Sequence, residues 1–330
     1  MPLRLALVLV FLAATGVLAA ADDLPKAKGV STPGVRIPIE KLVPDAVFPV
    51  PGTPDWQAVD DAVWVSNKPK NSVTRMDPKT NLVSGTFTVG TKPCSGLAVG
   101  FGSLWVPNCG DATISRVDLA TGKVVATIAT TIGNSEGGIA TGAGSVWMMT
   151  DAKGTLGRFD PDTNRLVAEI AVAPGSFGLA FGEGSVWVTS TEKNLVTRVD
   201  PFTNDVVATI PAGKAPRFLT VGEGSVWTLN QIDGTVSRID AKTNKLVTNI
   251  EAGLSGGGGE ITVGLGSVWV TLFDFPITRI DMATNQVVQQ FTGKGGDAIR
   301  VGHGSVWLSN LEAGNVWRLD PRRIEATLPD

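Results

Sequence analysis

With 330 residues, a formal charge of −3, 43% hydrophobic residues and 39 glycines, the chain has the apolar content of a large folded domain and too much for a disordered one. No basic run exceeds two residues, which disfavours a nucleic-acid partner held through a basic patch. One histidine and two cysteines leave no haem-attachment motif and no His/Cys metal spacing, so no cofactor is evident.

In chain order, Arg4, the apolar run LALVLVFLAA and the small residues Ala19, Ala20 and Ala21 make residues 1–21 read as a secretory signal peptide. Without Arg4 the mature chain carries 27 basic and 31 acidic residues, a formal charge of −4. No later window approaches 18 uninterrupted apolar residues, so no membrane span is expected in the mature chain and a periplasmic or secreted location is. Residues 22–44, with Pro25, Pro33, Pro38 and Pro44 among scattered charges, read as an extended leader with little core of its own.

From residue 45 to 330 the chain repeats. Trp64, Trp105, Trp147, Trp187, Trp227, Trp269 and Trp307 are spaced by 41, 42, 40, 40, 42 and 38 residues. A period near 40 with short alternating strands predicts an all-β fold, a seven-bladed β-propeller of four-stranded antiparallel blades. Lettered outward from the axis, the fourth copy has strand A at Leu179-Ala-Phe, B at Ser185-Val-Trp-Val-Thr, C at Leu195-Val-Thr-Arg-Val and D at Val206-Val-Ala-Thr-Ile. An Asp-Pro-x-Thr-Asn turn separates C from D: the aspartate accepts from turn amides, Pro presets φ and Asn takes the left-handed conformation. Arg75, Arg116, Arg158, Arg198, Arg238, Arg279 and Arg318 each precede an aspartate by two, which predicts a scaffold Arg–Asp ion pair on one strand face. The tryptophans are expected to form an aromatic plate between blades. Ala46-Val-Phe-Pro and Ile324-Glu-Ala-Thr-Leu both resemble strand D, giving eight candidates for seven blades, and closure by the N-terminal copy is the reading adopted. Cys94 and Cys109 flank the turn Gly100-Phe101-Gly102 nearly symmetrically, which places them across a hairpin as a structural disulfide in an oxidising compartment.

The units "VWVTSTEKNLVTRVDPFTNDVVATIPAGKAPRFLTVG" resemble YVTN-type propeller repeats, as in YncE-like periplasmic proteins, and more distantly the propeller of streptogramin B lyases. The YncE-like resemblance implies a binding module. The lyase resemblance implies catalysis by rim histidines with acidic groups and a divalent metal, but no rim histidine exists to carry over.

In such a propeller the D-to-A and B-to-C connections form one rim, the usual ligand face, and the A-to-B and C-to-D turns form the other. The single histidine, His303, falls in an A-to-B turn and is expected to be exposed on the second rim. Nine residues before each repeat tryptophan, allowing one deletion in the first copy's shorter turn, stand Trp56, Gly96, Gly138, Gly178, Phe218, Glu260 and Ala298. One position earlier stand Asp55, Ser95, Gly137, Phe177, Arg217, Gly259 and Asp297. Trp56, Phe218 and Glu260 over a glycine floor are the expected ligand pocket; fillers of an irregular axis are the alternative. Arg300 shares a strand face with the Glu260 position of the neighbouring blade, predicting a contact between them. The expected ligand-binding set is Trp56, Phe177, Arg217, Phe218, Glu260, Asp297 and Arg300. Two functions follow: an exported, non-catalytic module binding a small molecule, glycan or partner protein at the D-A/B-C rim, or a metal-assisted lyase or lactonase-like hydrolase with a divalent metal on Glu136, Glu260 and Asp297.

Overall fold

The computed structural model describes residues 26–27, 35–133 and 136–327; the signal-peptide reading of residues 1–21 lies outside them. Seven sheets surround one axis. Blade 4 shows the pattern: Ser176–Gly182 (A), Ser185–Ser190 (B), Leu195–Val199 (C) and Val206–Pro211 (D), each antiparallel to the next. The other six A strands are Pro54–Val59, Ala98–Gly100, Ile139–Gly142, Pro216–Gly222, Glu260–Gly264 and Ile299–Gly302. In blades 2 to 7 the A-to-B connections are two-residue turns with both residues at positive φ, such as Glu183 (49°) and Gly184 (71°), the hand that matches strand twist.

All seven repeat tryptophans are fully buried. In blades 2, 3, 4, 6 and 7 the indole Nε1 donates to the carbonyl five residues earlier at 3.0–3.1 Å, as Trp187 does to Gly182. The repeat arginine stacks on the tryptophan of its own blade, with Arg198 4.9 Å from the Trp187 ring.

The expected Arg–Asp pairing is corrected by where the hydrogen bonds go. Asp200 Oδ1 accepts the amides of Phe202 and Thr203 in its own turn. Arg198 donates Nε to Ser185 Oγ (2.9 Å) and reaches blade 5, where Asn244 Oδ1 and the Ala241 carbonyl accept, both at 2.9 Å. Arg116, Arg158, Arg238 and Arg318 reach Asn164, Asn204, Asn285 and Asn81 of the following blades in the same way. The turn asparagine therefore both adopts positive φ and receives the neighbour's guanidinium, so these ties run around the ring. Blade 2 has Gly122 at that position, which offers Arg75 no such acceptor.

The ring closes with the N-terminal strand Ala46–Pro49, which pairs antiparallel with Asn315–Leu319 of blade 7. The competing C-terminal candidate folds differently: Pro321–Glu325 is a short helix capped by Asp320, and Ile324 is buried against Ile37, Ile39, Leu42 and Phe291. Arg36–Pro38 pairs parallel with Gln286–Thr292 as a fifth strand of blade 6, and Lys26–Ala27 pairs likewise with Lys245–Glu251 of blade 5. The described part of the leader thus adds to the propeller's core.

Cys94 and Cys109 form the expected disulfide, with Cα atoms 5.7 Å apart across the blade 2 hairpin. The bond closes a loop with a sequence separation of 15. Replacing both cysteines with alanine is expected to cost about 3 kcal/mol of unfolding free energy, the loop-entropy value for that length. Urea midpoints at constant m would show it; an unchanged midpoint would mean that the hairpin is held by the propeller alone.

Candidate functional site

The A strands carry the expected ring positions to the axis. Trp56, Gly96, Gly138, Gly178, Phe218 and Glu260 line one axial cavity with Glu136 and Arg300. Its volume is about 40 Å³, room for one or two water molecules. Trp56 and Phe218 meet edge to face at 5.7 Å, and Phe218 meets Phe177 at 5.9 Å. With exposures of 5%, 4% and 9%, these three rings pack into the shaft, and the space that Trp56, Phe218 and Glu260 wall over the glycines is water-sized. The glycine floor is largely a packing device: a Cβ on Gly178 would lie 2.6 Å from the Arg217 carbonyl, and one on Gly138 would lie 2.7 Å from the Leu179 amide.

Beneath the rings, Glu260 and Arg300 form the predicted ion pair across blades 6 and 7, with side-chain exposures of 5% and 25%. Glu260 Oε2 also accepts the Ile299 amide at 3.1 Å. Burial raises the Glu260 carboxyl from 4.5 to about 7, and the adjacent Arg300 opposes that rise.

Above the rings, on the D-A/B-C rim, a mouth of about 360 Å³ is lined by Asp55, Lys68, Glu136, Arg217, Phe273 and Asp297 among others. Arg217 lies 4.7 Å from the Phe177 ring and 5.3 Å from the Phe218 ring, with Nη1 donating to Gln231 at 3.2 Å. Gln231 is anchored by donating to the Gly258 carbonyl at 2.7 Å. Asp55 and Asp297, from blades 1 and 7, are joined by a side-chain hydrogen bond. Burial raises both carboxyls, so the pair shares a proton in its hydrogen bond. Glu136 is raised by burial and lowered by Arg217 and Lys68. The buried donors Trp56 Nε1 and Arg217 Nε have no acceptor in the protein, nor has Trp227 Nε1 in blade 5.

Among the described residues no group of three or more His, Cys, Asp or Glu is arranged to hold a metal ion. The trio Glu136, Glu260 and Asp297 is therefore not assembled as a metal site: Glu260 is engaged by Arg300 and the Ile299 amide, and Asp297 by Asp55. His303 is exposed in its A-to-B turn with Nε2 2.7 Å from the Asp60 carbonyl, on the rim opposite the mouth. Sequence reasoning missed Lys68 and the Asp55–Asp297 bond. Both aspartates fall at the same repeat position on blades 1 and 7, a signal that becomes contact only once the ring is closed.

No family model matches the chain, and no curated protein matches it. Solved structures do. A streptogramin B lyase superposes with a TM-score of 0.69 at 19% identity, covering 82% of this chain and 94% of its own. Virginiamycin B lyase from Staphylococcus aureus gives 0.68 at 16% identity, covering 83% and 98%; its catalytically inactive histidine-to-alanine variant with quinupristin gives 0.69 at 16%, covering 81% and 94%. BamB from Moraxella catarrhalis gives 0.59 at 14%, covering 82% of each chain. At these identities the likeness is one of fold, and it bears out the streptogramin B lyase-like propeller read from the repeats.

Proposed function

We propose that the propeller is an exported, non-catalytic binding module that takes a small molecule, a glycan or a segment of a partner protein at the D-A/B-C rim. The observation that carries this reading is the mouth itself, a charged recess in which the buried Nε of Arg217 lacks a protein acceptor, next to a shaft in which Trp56 Nε1 lacks one too. A metal-assisted lyase or hydrolase has less support, because virginiamycin B lyase is inactivated by losing a histidine and this chain's one histidine faces the other rim. The YVTN-type repeat supports the binding reading. A periplasmic or secreted location is compatible with the disulfide and with the lack, among the described residues, of any helix long and apolar enough to cross a membrane.

A mixed library of sugars, amino acids, nucleosides and short peptides, followed by the indole N–H resonances, tests it. A ligand of the mouth is expected to shift the Trp56 resonance and leave the carbonyl-bonded blade tryptophans in place, with Arg217→Ala weakening the effect at least tenfold. Turnover of a cyclic depsipeptide or lactone, or ligands that leave Trp56 untouched, would overturn the proposal.

A further inference from the structure

We propose that the ligand of the mouth is a zwitterion, with its ammonium on the Asp55–Asp297 pair and its carboxylate on Arg217. The inference rests on the rim-binding reading and names the ligand class.

The two charges are laid out on different blades of one recess. Asp55 and Asp297 come from blades 1 and 7, while Arg217 comes from blade 5 on the far side of the axis. The acidic side has capacity for a cation: two carboxyls hold one proton between them where an ammonium supplies three donors. The basic side, Arg217 and Lys68 with Glu136 near them, has one unmet donor. At the mouth the buried Nε of Arg217 has no acceptor in the protein. Buried donors in this state cost free energy until an acceptor arrives, and a carboxylate supplies two oxygens to them. Arg217 is preset for that task, since Phe177 and Phe218 fix its guanidinium plane from below and Gln231 fixes its edge.

Binding is coupled to a proton. When an ammonium replaces the shared proton, the pair releases it to solvent and becomes a dicarboxylate facing the cation. The other charged groups of the recess and shaft are Lys68, Glu136, Glu260 and Arg300. Glu260 is paired with Arg300, so the released proton comes from the Asp55–Asp297 pair.

The test is titration calorimetry of the full chain with 4-aminobutyrate and 6-aminohexanoate as zwitterions of two spans, and butylamine and butyrate as single-charge analogues. At least one zwitterion is expected to bind ten times more tightly than either analogue. Its apparent enthalpy should depend on the buffer's ionisation enthalpy, the signature of proton release near pH 7. Asp297→Asn should abolish that dependence and weaken the zwitterion at least tenfold, and Arg217→Gln should weaken it while keeping the proton release. Equal binding of zwitterion and single-charge analogues overturns the inference, as does silence from all four compounds with the unmodified chain. A neutral sugar that shifts the Trp56 resonance would overturn the zwitterion and leave the rim's binding role standing.

Discussion

Arg300→Met is expected to destabilise the propeller by about 3–5 kcal/mol at pH 8, the cost of stranding a buried charge, and by much less at pH 5. The Glu260 side chain is 5% exposed, and its carboxyl is raised from 4.5 to about 7 by burial even with Arg300 beside it. Between those two values the folded chain holds a proton that the unfolded chain has released, so stability falls as pH rises through this window and is level above it. Asp55 and Asp297 are raised as well and tilt the curve in the same direction. Asp77, Asp118, Asp160 and Asp240 are partly exposed and lowered mainly by hydrogen bonds within their own turns, so their contribution is lost at the acidic end. The unmodified chain is therefore expected to be most stable in mildly acidic solution. Removing Arg300 steepens the loss toward neutral pH because Glu260 must then stay protonated or remain charged without a partner. Glu260→Gln should flatten the curve instead. Urea unfolding of the three proteins at pH 5 and 8 would show it, and an Arg300→Met cost that is the same at both values would mean that water, not Arg300, neutralises Glu260.

What the sequence made legible follows the distance over which each signal acts. The tryptophan period reports a plate that every blade buries, so blade number and strand order could be counted directly. The Asp-Pro-x-Thr-Asn turn is also local, and Asn204 adopts φ 64° as that turn requires. The same locality explains two departures. At the C-terminus Asp320-Pro321-Arg322 is followed by Arg323 and Ile324 where other copies place Thr and Asn; without the left-handed Asn, the Asp cap and Pro at the first turn start a helix. The Arg-x-Asp spacing correctly places both residues on one face, but period two says nothing of reach, and the guanidinium spans to the next blade while the aspartate is consumed by its own turn. In the site, Arg300 and Glu260 were found by repeat arithmetic because one closed ring position separates them. The role of Trp56, Phe177 and Phe218 depends on the radius of the axis, which no residue pattern encodes, and at this radius three rings meet.

Closure by the N-terminal strand carries the other large effect. Phe48 is 1% exposed, lies 5.6 Å from Trp307, and packs in one cluster with Val63, Val65, Met76 and Val316, which joins blade 7 to blade 1. Phe48→Ala is expected to cost about 3–5 kcal/mol, the range for emptying a buried aromatic site. Its neighbour Val47 is 52% exposed, so Val47→Ala should stay within about 0.5 kcal/mol. The loss should also be localised. In a ring of blades each sheet touches its neighbours, so weakening the one strand contributed from the other end of the chain opens the seam before the rest. Hydrogen exchange in Phe48→Ala is therefore expected to accelerate first at Asn315–Leu319, whose carbonyls and amides pair with Ala46–Pro49, while Leu195–Val199 of blade 4 keeps its protection. Uniform acceleration in all blades would mean that the propeller unfolds as one unit and that the seam is no weaker than any other interface. Unchanged exchange with unchanged stability would mean that the arginine tie from Arg318 to Asn81, which crosses the same seam, holds the ring without the strand's aromatic anchor.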